Sequence, residues 1–94
     1  MWIQTQNKQR IINSDQIIDI FVARTAPVIY ANTTDDADNI VLGEYKDKDT
    51  CIDILEVILI VGSHDDVTWL RLPLGGDAEK WLEDSHRMAE KLYK

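Results

Sequence analysis

A mostly apolar run in the middle of the chain, from Cys51 to Val61, limits the folds that this sequence can adopt. Asp47 precedes the run and suits an N-cap, because a short carboxylate accepts hydrogen bonds from the free N–H groups of a first helical turn. At about 100° per residue, only Asp53 and Glu56 interrupt the apolar surface of such a helix. A helix that is apolar nearly all round is buried on more than one side. We therefore predict a central helix over about 47–61, covered by a sheet on one face and by a second element on the other.

The end of this run has a competing interpretation as a buried strand. Val57 to Val61 is rich in β-branched residues, and periodicity does not separate helix from strand in a short apolar run. The capped start and the total length of the segment favour the helix. A membrane-spanning role is excluded by length, because a spanning helix needs about 20 apolar residues.

Five strand candidates precede the helix, separated by polar or proline-containing turns. They lie at about 2–5, 10–13, 16–24, 28–31 and 40–45. Short connections of this kind favour antiparallel neighbours, so the segments are predicted to form a meander. The longest candidate, Gln16 to Arg24, is apolar on both faces, which indicates a strand well inside the sheet. Gly43 interrupts the last candidate, and a glycine within a strand often marks a bulge or a close backbone approach.

The chain beyond residue 62 adds an extended segment, a hinge and a second helix. Val67 to Leu72 has strand-like alternation, and Pro73 to Gly76 ends it and permits a change of direction. From about 77 to 93 the apolar residues share one arc of roughly 140° on a helical wheel, while the charged residues lie outside that arc. The sequence therefore predicts an amphipathic C-terminal helix.

These elements predict one α+β domain over residues 1–94. Residues 1–62 supply the strand meander and the central helix, and residues 63–94 supply the extended segment, the hinge and the C-terminal helix. The expected architecture is an antiparallel meander sheet of about five strands, packed by the central helix and the C-terminal helix.

Several of these segments resemble a family of small proteins from Gram-positive bacteria and their phages. The matching segments are Met1-Trp2-Ile3, Ile11-Ile12-Asn13, Leu42-Gly43-Glu44-Tyr45 and the helix from Cys51 to Ile58. The resemblance covers about two-thirds of the chain, whereas the tail from Ser63 to Lys94 departs from the pattern. It implies a fold and a bacterial or phage-related origin. No activity, cofactor or functional residue comes with it.

The charge of the chain limits its partners. The 94 residues include 10 basic and 17 acidic side chains, which gives a net charge of −7. Direct binding to nucleic-acid phosphates is therefore disfavoured. The single cysteine excludes an intramolecular disulfide. The start of the chain lacks the basic and apolar segments of a signal peptide, so we expect a cytoplasmic protein.

Two groups of residues invite an enzymatic interpretation. The potential metal ligands are His64, Asp65 and Asp66, together with Asp84 and His86. Metal sites require ligands that converge on one point, however, and no ligand-spacing motif is present. Cys51 follows a helix start, where thiol pKa values fall, yet it lies on the apolar face of the helix. We predict no catalytic residue, cofactor or metal ligand, and keep a metal-dependent activity at His64 and His86 as an alternative.

An acidic stretch suggests a second class of function. Asp35, Asp36 and Asp38 lie close in sequence to Asp47 and Asp49. Carboxylates gathered on one face would imitate a nucleic acid and inhibit a DNA- or RNA-binding protein. Lys46 and Lys48 interrupt the run, however, and a solvated loop followed by a helix cap explains the same residues.

Three tryptophans, Trp2, Trp69 and Trp81, suggest binding to a protein, since tryptophan is enriched at the energetic centres of interfaces. Most tryptophans in small domains fill the core instead, and Trp81, on the apolar arc of the C-terminal helix, suits either role. The leading hypothesis is therefore a non-enzymatic protein-interaction module, with these tryptophans and the acidic loop residues as candidate contacts. A homodimer is also predicted, because the apolar side of the central helix needs cover. The C-terminal helix supplies that cover within the chain or, by exchange at the hinge, from a second copy.

Overall fold

The computed structural model describes residues 1–34, 39–64 and 66–92, with the backbone alone over 88–92. Within these ranges it contains two helices and six strands. The strands are β1 (Trp2–Gln4), β2 (Ile11–Asn13), β3 (Ile17–Val22), β4 (Val28–Thr33), β5 (Ile40–Glu44) and β6 (Trp69–Arg71). The helices are α1 (Lys48–Gly62) and α2 (Ala78–Leu92). The α+β class is thus confirmed.

The strands form two separate sheets of three, so the prediction of one five-stranded meander is wrong. The first sheet has the order β2-β1-β6, and the second has the order β3-β4-β5. β1 pairs antiparallel with β2 and parallel with β6. A short 3-10 turn over Ser14–Gln16, capped by the Asn13 side chain, separates the two sheets along the chain. The β1–β6 pairing joins opposite ends of the sequence, and local patterns carry no information about such a partner.

The position expected for the longest strand is also wrong. β3 is an edge strand, and β4 occupies the centre of the second sheet. The pairing of β3 with β4 shifts in register between Ile17 and Asp19, and the intervening Ile18 is exposed. Ile20 and Val22 pack against the core, while Phe21 stacks on Tyr30 with their ring centroids 5.7 Å apart. β3 is therefore apolar on both faces because each face makes contacts, although the strand lies at the edge of its sheet.

The helical interpretation of the central run is correct, and the strand alternative is wrong. Asp47 is the N-cap, and its Oδ1 accepts from the Thr50 N–H at 2.7 Å. The helix packs against β3, β4 and α2. Its fully or nearly fully buried apolar residues are Cys51, Ile54, Val57, Ile58 and Val61. The sheet and the second element that the sequence required are therefore both supplied, and α2 of the same chain is that second element.

α2 confirms the predicted C-terminal helix, although the predicted end at Tyr93 lies outside the described residues. The preceding segment is anchored to the body of the protein, because Pro73 is buried and its carbonyl accepts from the Tyr45 hydroxyl at 2.9 Å. Gly75–Asp77 forms a 3-10 turn that leads into the helix. The predicted hinge is thus held in place at Pro73, and the glycine pair that follows it is exposed.

Gln6 joins the two sheets. Its backbone N–H donates to the Leu42 carbonyl at 2.8 Å. Its side-chain amide accepts from the Glu44 N–H at 2.8 Å and donates to the Glu44 carbonyl at 2.7 Å. The turn after β1 therefore supplies hydrogen-bond partners to backbone groups at the open edge of β5, much as a neighbouring strand would.

Candidate interaction surface

Parallel pairing of β1 with β6 places two of the three tryptophans side by side. Trp2 lies opposite Trp69, and Ile3 lies opposite Leu70. Side chains alternate between the two faces of a sheet, and Ile3 is completely buried in the core. Trp2 and Trp69 therefore project from the outer face, where they are 52% and 58% exposed. Both tryptophans are surface residues of the described structure.

Further side chains of the same face complete a shallow concave surface. Gln4 lies opposite Arg71 in β6 and opposite Ile11 in β2, and Ile11 is 60% exposed. A cavity of about 280 Å³ opens between these side chains and the tryptophans. We call this surface the tryptophan face, and its members are Trp2, Gln4, Ile11, Trp69 and Arg71.

Arg71 is held over an aromatic ring of the tryptophan face. Its guanidinium carbon lies 4.8 Å from the centroid of the Trp69 ring. A cation over a tryptophan ring is attracted by the negative charge density of the ring face. The arginine is thereby placed beside the cavity, with its charge available to a carboxylate or carbonyl of a bound partner.

Trp81 approaches the same strand from α2. Its indole Nε1 donates to the Arg71 carbonyl at 3.0 Å, and the half-buried ring packs against the core. Between β6 and α2 lies a second cavity of about 350 Å³, lined in part by Trp69, Arg71 and Trp81. All three tryptophans therefore lie in β6 or next to it, although they are far apart in the sequence.

The sequence analysis named the three tryptophans as candidate contacts and did not name Gln4, Ile11 or Arg71. Arg71 carries a signal of its own, because it follows Trp69 by two residues and must share its face in a strand. Ile11 carries no comparable signal. Its position beside the tryptophans depends on the strand order β2-β1-β6. Of the two pairings in that sheet, only the β1–β2 hairpin joins segments that are close in sequence.

The acidic residues are only partly visible in the structure. Asp35, Asp36 and Asp38 lie outside the described residues. Asp47 caps α1, and hydrogen bonds from the Thr50 side chain and backbone hold the pKa of that carboxyl below its usual range. Asp49 lies in the first turn of α1, where the helix dipole favours negative charge. Two of the five carboxylates thus have a role at a helix start, and the nucleic-acid-mimic hypothesis stays a prediction.

The potential metal ligands are dispersed over different elements. His64 lies just after α1, where its backbone N–H donates to the Val61 carbonyl, while His86 is exposed on α2. Asp65 lies outside the described residues. Across residues 1–34, 39–64 and 66–92, no three His, Cys, Asp or Glu side chains are grouped so that they could hold a metal ion.

Cys51 is a core residue. It is completely buried, and this burial raises the pKa of its thiol, with the nearby Asp47 carboxylate adding to the effect. A raised pKa disfavours the thiolate, which is the nucleophilic form. The interpretation of Cys51 as a small apolar residue of the helix is therefore the one that its environment supports.

Comparison of the chain with protein-family models, curated proteins and solved structures gave no significant match in any of the three. The resemblance to proteins of Gram-positive bacteria and phages, and the cytoplasmic location, stay predictions. In the part of the chain that the structure describes, neither helix combines the length and the apolar content that crossing a membrane requires.

Proposed function

We propose that this protein is a non-enzymatic interaction module that binds another protein through the tryptophan face. The supporting observation is the adjacent position of Trp2 and Trp69 on the outer face of the first sheet, with more than half of each side chain exposed. Exposing two large aromatic side chains together is unfavourable in water, and contiguous apolar patches of this kind mark interaction sites.

The composition of the face suits protein binding. Tryptophan and arginine are the residues most enriched at positions that dominate binding energy. Contact of Arg71 with the Trp69 ring restricts the arginine before a partner arrives, which lowers the entropy lost on binding. Gln4 supplies hydrogen-bonding groups between the apolar side chains. The face thus offers apolar anchors, one charge and polar groups within a small area.

Self-association through the same face is the simplest form of this proposal. Two copies related by a two-fold axis would bury Trp2, Ile11 and Trp69 against their equivalents, as in an isologous interface. Light scattering over a range of micromolar concentrations measures this directly. A mass that stays that of one chain would exclude the homodimer and leave a different protein as the partner.

Affinity capture with single-residue variants tests the tryptophan face. The tagged protein is incubated with a bacterial lysate at low and at moderate salt, and its partner is identified and purified. We expect Trp2→Ala and Trp69→Ala each to weaken binding of that partner by about 2 kcal/mol, or roughly thirtyfold. Val41→Ala is the matched control, since Val41 is half exposed on the second sheet.

Retention of the same partner by both tryptophan variants, at wild-type affinity, would refute the proposal. The salt dependence of partner binding distinguishes binding through the tryptophan face from the nucleic-acid-mimic hypothesis. Binding through an apolar face persists at moderate salt, whereas binding through exposed carboxylates is screened and is lost. Circular dichroism of each variant confirms that an altered affinity does not come from unfolding.

A further inference from the structure

A second apolar surface lies along α1 and shares no residue with the tryptophan face. Ile52, Leu55 and Leu59 follow one another at spacings of three and four residues, so they form one stripe on the helix. Leu55 is half buried, Ile52 is exposed, and Leu59 is 74% exposed. α1 thus presents an apolar stripe to solvent, in addition to the faces that pack against the second sheet and α2.

An adjacent strand turns this stripe into a groove. Ile20 of β3 and Ile58 of α1 line a cavity of about 360 Å³ together with the stripe. A neighbouring cavity of about 450 Å³ also includes Ile20, Ile58 and Leu59 and continues to Met1 and Ser63. The two cavities are therefore one feature, which we call the α1–β3 groove. From Ile52 to Gly62 it runs for about 15 Å, at about 1.5 Å per helical residue.

The charged side chains that line the groove are negative. Glu56 lines the first cavity, and Asp15 lines the second. No lysine or arginine is among the described residues that line either cavity. Lys48 begins the same helix, but its ammonium donates to the Arg24 carbonyl and is not part of the lining. The groove therefore combines an apolar floor with one carboxylate beside each of its two cavities.

We propose that the α1–β3 groove binds a basic amphipathic helix of a partner protein. An apolar groove accepts a helix through side chains spaced three and four residues apart, and about three helical turns match its length. Lysine or arginine beside those apolar positions would meet Glu56 and Asp15. A second copy of this chain is the less suitable occupant, because a symmetric contact would bring like carboxylates together.

A synthetic helix is the probe for this test. It has about 14 residues, only Leu and Lys, with Leu at every third or fourth position and a fluorescent label. Binding to the full chain is measured by fluorescence anisotropy. We expect Leu59→Gln to weaken binding by about tenfold, because it removes an exposed apolar contact from the groove. We expect Glu56→Gln to weaken binding by about threefold through loss of one exposed charge pair.

Matched controls separate recognition by the groove from attraction to an acidic protein. A scrambled peptide has the same composition and charge but no apolar stripe, and we expect it to bind at least about tenfold more weakly. Asp77→Asn removes an exposed carboxylate in the turn before α2, which lines neither cavity, and is expected to leave binding of the Leu/Lys helix unchanged. Because Leu59 is exposed, Leu59→Gln is expected to fold, which circular dichroism checks.

Three outcomes would overturn the proposal. In the first, the scrambled peptide binds as tightly as the amphipathic peptide, so that charge alone explains binding. In the second, amide chemical-shift changes caused by the peptide fall on the first sheet and leave α1 and β3 unchanged. In the third, Leu59→Gln converts a dimer to a monomer in light scattering, which would make a second copy the occupant.

Discussion

Gly43 lies where the Tyr45 ring crosses the backbone of β5. A Cβ added at Gly43 would be 2.7 Å from Cε2 of that ring and 2.8 Å from its hydroxyl oxygen. The pairing of β4 with β5 also shifts in register here, because Ile29 pairs with Gly43 and the next residue, Tyr30, pairs with Val41. Both meanings of a strand glycine, a bulge and a close approach, therefore apply at this position. The sequence predicted that Gly43 was special, but it did not indicate which residue approaches it.

We expect Gly43→Ala to lower the free energy of unfolding by roughly 1–3 kcal/mol, the usual cost of overpacking a closely packed site. The displaced ring would also strain the hydrogen bond from the Tyr45 hydroxyl to Pro73. Urea denaturation measures the change. Gly75→Ala is the control, since no heavy atom within 4 Å would contact its Cβ. Equal free energies of unfolding for the two variants would show that the Tyr45 ring moves aside without a loss of stability.

Asp47 predicts a pH-dependent difference in stability. Its folded-state pKa is lowered by hydrogen bonds from Thr50, so its contribution is present at neutral pH and is lost as pH falls through that lowered pKa. Asp47→Ala is therefore expected to be less stable than the natural protein at pH near 7, with the gap closing towards about pH 3. Urea midpoints at several pH values measure the gap.

Asp47→Asn keeps a hydrogen-bond acceptor at the N-cap and removes the titrating group. We expect this control variant to retain most of the stability of the natural protein at neutral pH and to lose less of it on acidification. A gap between Asp47→Ala and the natural protein that stays constant from neutral to acidic pH would contradict the role assigned to this carboxylate.

At the scale of elements, the helices were predictable and the sheets were not. α1 and α2 follow from caps and apolar periodicity, which are properties of neighbouring residues. Every strand candidate also contains a strand, with small differences at the ends. The division into two sheets arises because β2 pairs with β1 and β3 pairs with β4. The first sheet gains its third strand, β6, through a contact that only the assembled core determines. The tryptophan face was missed for the same reason, because no local pattern places Trp2 beside Trp69.

Trp81 covers part of an exposed strand edge. Thr68 and Leu72 use their backbone groups to pair with β1, so those of Arg71 point to the opposite edge, where the Trp81 indole donates to the carbonyl. Trp81→Phe keeps an aromatic ring and removes this donor. We expect it to lower the free energy of unfolding by roughly 0.5–1.5 kcal/mol, the net value of one such bond.

Amide hydrogen exchange locates the effect of this substitution. Faster exchange in β6 and in the first turns of α2 is expected, with little change in the second sheet. Uniform acceleration over the whole chain would instead indicate global destabilisation. Unchanged exchange in β6 would show that the indole N–H contributes nothing to holding that strand against the helix.

At the scale of the whole molecule, the two surfaces proposed above for binding differ in their chemistry. The tryptophan face offers aromatic rings and an arginine, while the α1–β3 groove offers aliphatic side chains and carboxylates. Overall composition predicted an acidic protein with surplus apolar residues. It did not show where the surplus lies, because whether an apolar side chain is buried depends on which elements pack over it.

The parallel contact between β1 and β6 also has a consequence for synthesis on the ribosome. β1 and β2 emerge before the other described strands, and a two-stranded ribbon is marginally stable by itself in water. The third strand of this sheet, β6, leaves the ribosome only after β3, β4, β5 and α1 have been made. The first sheet therefore closes late, and Trp2 acquires its neighbour only when most of the chain is available. The proposed binding through both tryptophans would therefore require a chain in which β6 has already paired with β1.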